Sequence, residues 1–330
     1  PPAFATLLKT FNGMPSAKSC RLSPDGKTWA LVADKKITLI DAADGKEKNA
    51  IEVSASIQDL AFSPDSTTIA TAIEKTVKLW DVASGTILQQ NILFAAASSN
   101  QNSGITAIAI SSDLQRALVG YWDGSIFIIN TTPDSPSFGL PIVRFSSDTS
   151  GVSSLAFSPD GRFILSGAGQ ANDLKDFSIR LWNVETGEQV RQYIGHTWSV
   201  VSVKFKADGS EFLSAADDNS SILWDATTGK LLHRYSLPED SVMSADLFAF
   251  KSGEMFALVG GLARAMHVVD LNTGSGIDQY TKHTDIINSL RFSPDAHYAA
   301  SGSSDRSISL VDLIHQKEVA HYQGDTGPVM

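Results

Sequence analysis

The sequence predicts an all-β fold, a seven-bladed β-propeller of four-stranded antiparallel blades, and three observations carry the prediction. A closing dipeptide recurs seven times: Ile40-Asp41, Trp80-Asp81, Ile129-Asn130, Trp182-Asn183, Trp224-Asp225, Val269-Asp270 and Val311-Asp312. The steps between the second members are 40, 49, 53, 42, 45 and 42 residues. A turn signal keeps step with it at Ser23-Pro24-Asp25-Gly26, Ser63-Pro64-Asp65-Ser66, Ser111-Ser112-Asp113, Ser158-Pro159-Asp160-Gly161, Lys206-Ala207-Asp208-Gly209, Lys251-Ser252-Gly253 and Ser293-Pro294-Asp295. Between these markers lie short runs of β-type composition bounded by Gly, Asp and Asn, with no helical period to compete. Repeats of this length are units that cannot bury an apolar face alone, and a ring of them leaves only short protected edges.

Taken in order, repeats 1 and 2 set the frame, with Trp29 aligned to Ile69, Ile164 and Phe212 at a packing position of the second strand. Repeat 3 carries two insertions, Phe94 to Gly104 before its first strand and Thr131 to Pro141 after its third. Repeat 4 stretches the connection from Ser166 to Asp176 to 10 residues, where intact repeats have 4. Repeat 5 is the cleanest copy: Val200 to Phe205, Glu211 to Ala215, Ser221 to Trp224 and Leu231 to Tyr235 alternate with polar turns. Repeat 6 has the weakest turn signal, and repeat 7 returns to the pattern of repeat 5. Fourth-strand segments are Glu188 to Tyr193, Leu231 to Tyr235, Gly276 to Tyr280 and Glu318 to Tyr322, and Thr6 to Phe11 precedes the first repeat. With the earlier blades this makes one candidate too many. Ring closure by Thr6 to Phe11 on blade 7 is expected, because a strand from the opposite terminus hides an edge.

Composition narrows the function classes. Lys plus Arg is 26 against 36 Asp plus Glu, a net charge of −10, the wrong sign for holding nucleic acid by counterion release. The longest apolar runs fall far short of a membrane span. Cys20 is the only cysteine, so no intrachain disulfide forms. The start at Pro1-Pro2-Ala3-Phe4 has neither an initiator Met nor a targeting pattern, which points to residues upstream. One propeller domain over 1–330 is expected, either complete in function or as one module of a longer polypeptide. A cytoplasmic location is expected, with a secreted or periplasmic one as the alternative.

The Ser-Pro-Asp-Gly turns, together with Leu79-Trp80-Asp81, Leu181-Trp182-Asn183, Leu223-Trp224-Asp225 and Gly195-His196, resemble the WD-repeat β-propellers, and the resemblance covers nearly the whole chain. It is specific for fold and not for function. His196, Ser214, Asp218 and Trp224 stand at offsets of 18, 4 and 6, and His283, Ser301 and Asp305 repeat them with Val311 in the Trp position. The residue types are those of a nucleophilic triad. Duplication in two repeats, with relics at Asp34, Asp123 and Asp176, favours the structural hydrogen-bond network that the resemblance implies.

Successive strands of a meander reverse direction, so the connections before strand one and between strands two and three share one face, the top. Trp122 and Trp198 fall on top connections, whereas Trp29, Trp80, Trp182 and Trp224 fall at core positions. Asp173, Asp176, Asp217 and Asp218 suggest an acidic rim near the same sector, without the ligand spacing of a calcium or zinc site. The candidate partner-binding positions are Tyr121, Trp122, Lys175, Trp198, Asp217, Asp285 and Ser304. The expected function is a non-catalytic scaffold, with no cofactor, whose top face binds a protein or peptide of basic-hydrophobic character. A regulatory module of a larger protein and a propeller enzyme with a channel-mouth site are the alternatives.

Overall fold

The structure is a computed structural model that describes residues 19–323 except 34, 42–45, 64, 75, 94–103, 133–134, 147–150, 170–175, 237–241, 250–253, 294 and 306. Among the described residues every regular element is a strand, and the strands form seven four-stranded antiparallel sheets. Blades 1 to 7 span 19–52, 57–93, 105–146, 152–193, 200–236, 242–280 and 287–323. The first strands are β1 (Ser19–Leu22), β5 (Ile57–Phe62), β9 (Ile105–Ile110), β13 (Val152–Phe157), β17 (Val200–Phe205), β21 (Val242–Ala249) and β25 (Ile287–Phe292). Each touches the first strand of the next blade, and β25 touches β1, so the ring is closed around a channel.

Burial within a blade follows from its two neighbours. The second and third strands are covered on both faces and read as continuous apolar runs, such as β18 (Glu211–Ala216) and β19 (Ser220–Asp225). The fourth strand, β20 (Leu231–Ser236) in blade 5, buries only its penultimate tyrosine. Among the described residues seven apolar clusters result, each shared by two adjacent blades. Gly167 shows how closely the blades approach: a Cβ there would meet Val200 Cγ1 at 2.7 Å.

Polar groups cross every seam beside the channel. Asp59 Oδ2 accepts the Ile108 N–H at 3.0 Å, Ser154 Oγ accepts Val203 N–H at 3.1 Å, and Ser244 Oγ accepts Leu290 N–H at 3.0 Å. Thr106 Oγ1 donates to the Val152 carbonyl at 2.5 Å, Ser202 Oγ donates to Ala245 at 3.4 Å, and Arg21 joins blade 1 to Ser289 of blade 7 at 3.4 Å and to Asp59 of blade 2 at 3.6 Å. Further out, Tyr193 Oη donates to the Ala226 carbonyl at 2.7 Å and Tyr235 Oη to that of Leu271 at 2.9 Å. Burial pushes both hydroxyls up to about 12, which keeps them donors. Tyr280 in blade 6 donates instead to Asp278 of its own strand.

The recurring sequence markers are turn chemistry. Ser158 Oγ donates to Asp160 and accepts the Phe163 N–H, while Gly161 takes a left-handed φ of 66°. The Asp or Asn of the closing dipeptide caps the next turn, as Asp225 does for the N–H groups of Thr227 and Thr228. Two expectations need correction. The outer strand of blade 7 is β28 (Lys317–Gln323), paired along β27 (Ser307–Asp312), because this segment follows its turn as the shortest available hairpin. Thr6 to Phe11, expected in that place, lie outside the described residues. Trp29 is only half-buried, packing with Ile308 on the small cluster of Leu31 and Ile40 where blade 7 meets blade 1.

The tight seam yields a direct test. Gly167→Ala drives a methyl into Val200 across the blade 4–5 seam and is expected to cost about 1–3 kcal/mol. Gly276→Ala, where nothing lies within 4 Å, is expected to stay within about 0.5 kcal/mol of wild type. Denaturant unfolding of both variants measures the difference.

Candidate functional site

The Ser, His and Asp of blade 5 are assembled as a directional relay. Trp224 Nε1 donates to Ser214 Oγ at 2.8 Å, and Ser214 Oγ lies 2.8 Å from His196 Nε2. His196 Nδ1 lies 2.9 Å from Asp218 Oδ2. A carboxylate only accepts, so the tautomer with Nδ1–H satisfies Asp218 and leaves Nε2 to accept the serine hydroxyl. Gly195 is required beside it, since a Cβ would meet Trp224 at 2.8 Å. Asp218 also accepts the Thr197 N–H at 2.8 Å and ties down the turn through Ser220. Burial alone would raise its carboxyl, but the hydrogen bonds of His196 and Ser220 and the Thr197 N–H bring it down to about 2.

This arrangement has the bond order of a nucleophilic triad and none of the access. Ser214 is 0 % exposed and so is the His196 side chain, so no acyl carbon can reach the hydroxyl. Blade 7 repeats the relay with His283 Nε2 2.7 Å from Ser301 Oγ and Nδ1 3.1 Å from Asp305. Blades 2 and 4 keep its inner half, Trp80 to Thr71 and Trp182 to Ser166, both at 2.9 Å. Asp123 and Asp176 keep its outer half as caps on Ser125 and Ser178, and Asp34 lies outside the described residues.

On the top face the two remaining tryptophans are open to solvent, Trp122 at 52 % and Trp198 at 46 %. Trp198 stacks on Phe177, a residue the sequence did not single out, with centroids 5.7 Å apart and planes at 22°. The Trp122 N–H donates to the Gly104 carbonyl, where the longer connection into blade 3 ends. Asp285 is exposed; Asp217 and Ser304 are half-buried, Ser304 accepting from Asn288 at 2.8 Å. Tyr121 must be withdrawn from the partner-binding set: it is 1 % exposed and packs edge-on against Phe127. The acidic rim also shrinks. Asp218 belongs to the relay and Asp176 pairs with the buried Arg180, while Asp173 and Lys175 lie outside the described residues.

The channel holds charged residues that sequence reasoning missed. A cavity of about 490 Å³ runs along the first strands. At equivalent register positions of that strand, toward the bottom face, blades 5, 6, 7 and 1 carry Lys204, Asp246, Arg291 and Arg21, whereas blades 2, 3 and 4 carry Ala61, Ala109 and Ala156. Lys204 pairs with Asp246, which also accepts the Phe292 N–H at 2.9 Å. Burial would raise Asp246, yet the charges of Lys204 and Arg291 hold it below the ordinary carboxylate value. Among the described residues no group of three His, Cys, Asp or Glu is placed to hold a metal ion.

The relay predicts its own stability signature. Asp218→Ala leaves a buried imidazole N–H unsatisfied and is expected to cost about 1–3 kcal/mol in thermal or denaturant unfolding. Because the folded-state carboxyl is depressed from 3.8 to about 2, its stabilisation is full above 3.8 and is lost as pH falls through 2. Unfolding followed across that window is expected to show a steeper loss of stability in wild type than in Asp218→Asn.

The family model for the WD domain, G-beta repeat, matches residues 48–81, 95–130, 139–183, 187–225 and 274–312, over half of the chain. These segments close on the third strand of a blade, and 48–81 opens on β4 (Glu47–Glu52), the outer strand of the blade before. Among similar proteins, the serine-threonine kinase receptor-associated protein of Dictyostelium discoideum is 30 % identical over 75 % of this chain and 76 % of its own length. Subunit I of eukaryotic translation initiation factor 3 from Drosophila grimshawi is 24 % identical over 72 % of this chain and 74 % of its own. Human pre-mRNA-processing factor 17 is 30 % identical over half of this chain, a stretch that makes up only 28 % of that protein. With seven blades, the closing dipeptides and the buried His-Ser-Asp-Trp relay in place, the chain belongs to the WD-repeat family of β-propellers.

Proposed function

We propose that this propeller is a non-catalytic platform whose top face, from blade 3 to blade 5, holds a protein segment with a hydrophobic residue flanked by Lys or Arg. The observation that carries this reading is the pair Trp122 and Trp198, half-exposed at positions outside the blade cores. Exposed aromatic rings are the commonest interface anchors, and the Phe177 stack lowers the entropy Trp198 loses on binding. Asp217, at the top of blade 5, supplies negative charge that orients a basic flank, and Asp285, on the connection into blade 7, extends it along the same face. Two relatives support the class of role, being named as a receptor-associated protein and a subunit of a translation factor. The names of the relatives that belong to translation and pre-mRNA processing favour an intracellular site, cytoplasmic or nuclear.

A second reading, a regulatory module within a longer polypeptide, is favoured by the match to pre-mRNA-processing factor 17, most of which lies outside the aligned region. The nucleophilic-triad reading of the relay is excluded, because the serine that would attack is sealed inside blade 5.

The test is affinity capture with wild type, Trp122→Ala/Trp198→Ala and the bottom-face control Leu140→Ser. The double variant is expected to lose on the order of 2 kcal/mol or more of binding free energy with unchanged unfolding. Asp217→Lys is expected to slow association and flatten its salt dependence. Retention by the double variant with loss in Leu140→Ser would place the interface on the opposite face and refute the proposal.

A further inference from the structure

We infer that the bottom mouth of the channel is a binding site for a small organic oxyanion, a phosphate or polycarboxylate, gripped by Arg291 and Arg21 with Lys204 alongside. The cavity of about 490 Å³ falls within the range that encloses small ligands. Its wall is asymmetric. Three cationic side chains project from blades 5, 7 and 1, and the facing arc of Ala61, Ala109 and Ala156 is cut back to methyl groups, which leaves room opposite the charges.

Two carboxylates share the wall, and their oxygens are committed to it. Asp59 accepts the N–H groups of Leu60 and Ile108, at 2.8 and 3.0 Å. Asp246 accepts those of Leu247 and Phe292, at 3.0 and 2.9 Å, and pairs with Lys204. Arg291 is different. Its Nη1 donates to the Leu290 carbonyl at 2.6 Å, and among the described residues no carboxylate lies within ion-pair distance of its guanidinium. A guanidinium presents five N–H donors in a planar fork, so most of this one remains available to a ligand at the channel wall. Arg21 reaches Ser289 of blade 7 at 3.4 Å through Nη1 and Asp59 of blade 2 at 3.6 Å through Nη2, which holds its guanidinium at the same wall. Three cations against two carboxylates give this mouth a local positive excess in a chain of net charge −10.

The decisive experiment is calorimetric titration of the purified chain at low ionic strength with inorganic pyrophosphate and, separately, with citrate. Saturable one-to-one binding of at least one probe is expected, pyrophosphate alone pointing to a phosphoryl ligand and citrate alone to a carboxylate ligand. Arg291→Gln is expected to weaken binding about ten- to hundredfold, the loss of a charge-assisted hydrogen bond. Ala109→Phe keeps every charge and adds bulk to the arc opposite them, so it is expected to abolish binding; because Ala109 also packs against the blade 3–4 cluster, denaturant unfolding of the same variant checks that the ring is intact. Failure of both probes to bind wild type at about 1 mM overturns the inference. So does binding that is equally strong in Arg291→Gln and Ala109→Phe, because the anion would then sit elsewhere on the surface.

Discussion

Each blade of this propeller is apolar on both faces of its middle strands, and only another blade can cover either face. All else in the fold depends on that constraint. It explains why the seven buried clusters lie between blades rather than within them, and why small residues such as Gly167 stand where Val200 of the next blade presses in. Burial supplies the driving force without direction. Direction comes from polar groups that cross the seams, the Ser, Thr and Asp side chains beside the channel and the tyrosines further out. The matched repeat segment 48–81, which starts on the outer strand of one blade and ends inside the next, adds a covalent link across the same seam.

The His-Ser-Asp-Trp relay belongs to this framework. It passes from the top connection of blade 5 through the second strand to the closing tryptophan, so one chain of hydrogen bonds ties three loops and strands together. Cooperative networks of this kind are worth most when water is excluded, and exclusion of water is also what removes them from catalysis. Tryptophan therefore has two roles here, set by position alone: Trp224 ends the relay in the core, and Trp198 lies stacked on Phe177 in solvent.

The two ends of the ring differ in chemistry. Exposed aromatic rings and Asp217 mark the top between blades 3 and 5, whereas the bottom of the channel carries Arg21, Lys204 and Arg291, with Asp59 and Asp246, against a wall of alanines. The scaffold tolerates both because strand pairing within each blade uses backbone groups, so the side chains at the two ends of the ring can differ from blade to blade.

Much of this was legible in the sequence, for a physical reason. Turn residues, the closing dipeptide and the offsets of 18, 4 and 6 are local requirements, met within one repeat by short-range hydrogen bonds, and they recur wherever the local structure recurs. The blade fold, the top connections and the membership of the relay are of this kind. Tertiary structure decided the rest. Tyr121 precedes a top turn in sequence, yet blades 2 and 4 cover the two faces of its strand, and its ring is sealed in the blade 2–3 cluster. A β-bulge after the first residue of the inner strands of blades 2 to 7 resets the strand alternation, so channel-facing positions do not follow the simple period of two. The channel arc draws one residue from each repeat, and Arg21 meets Ser289 across 268 positions, a proximity that exists only because the ring closes.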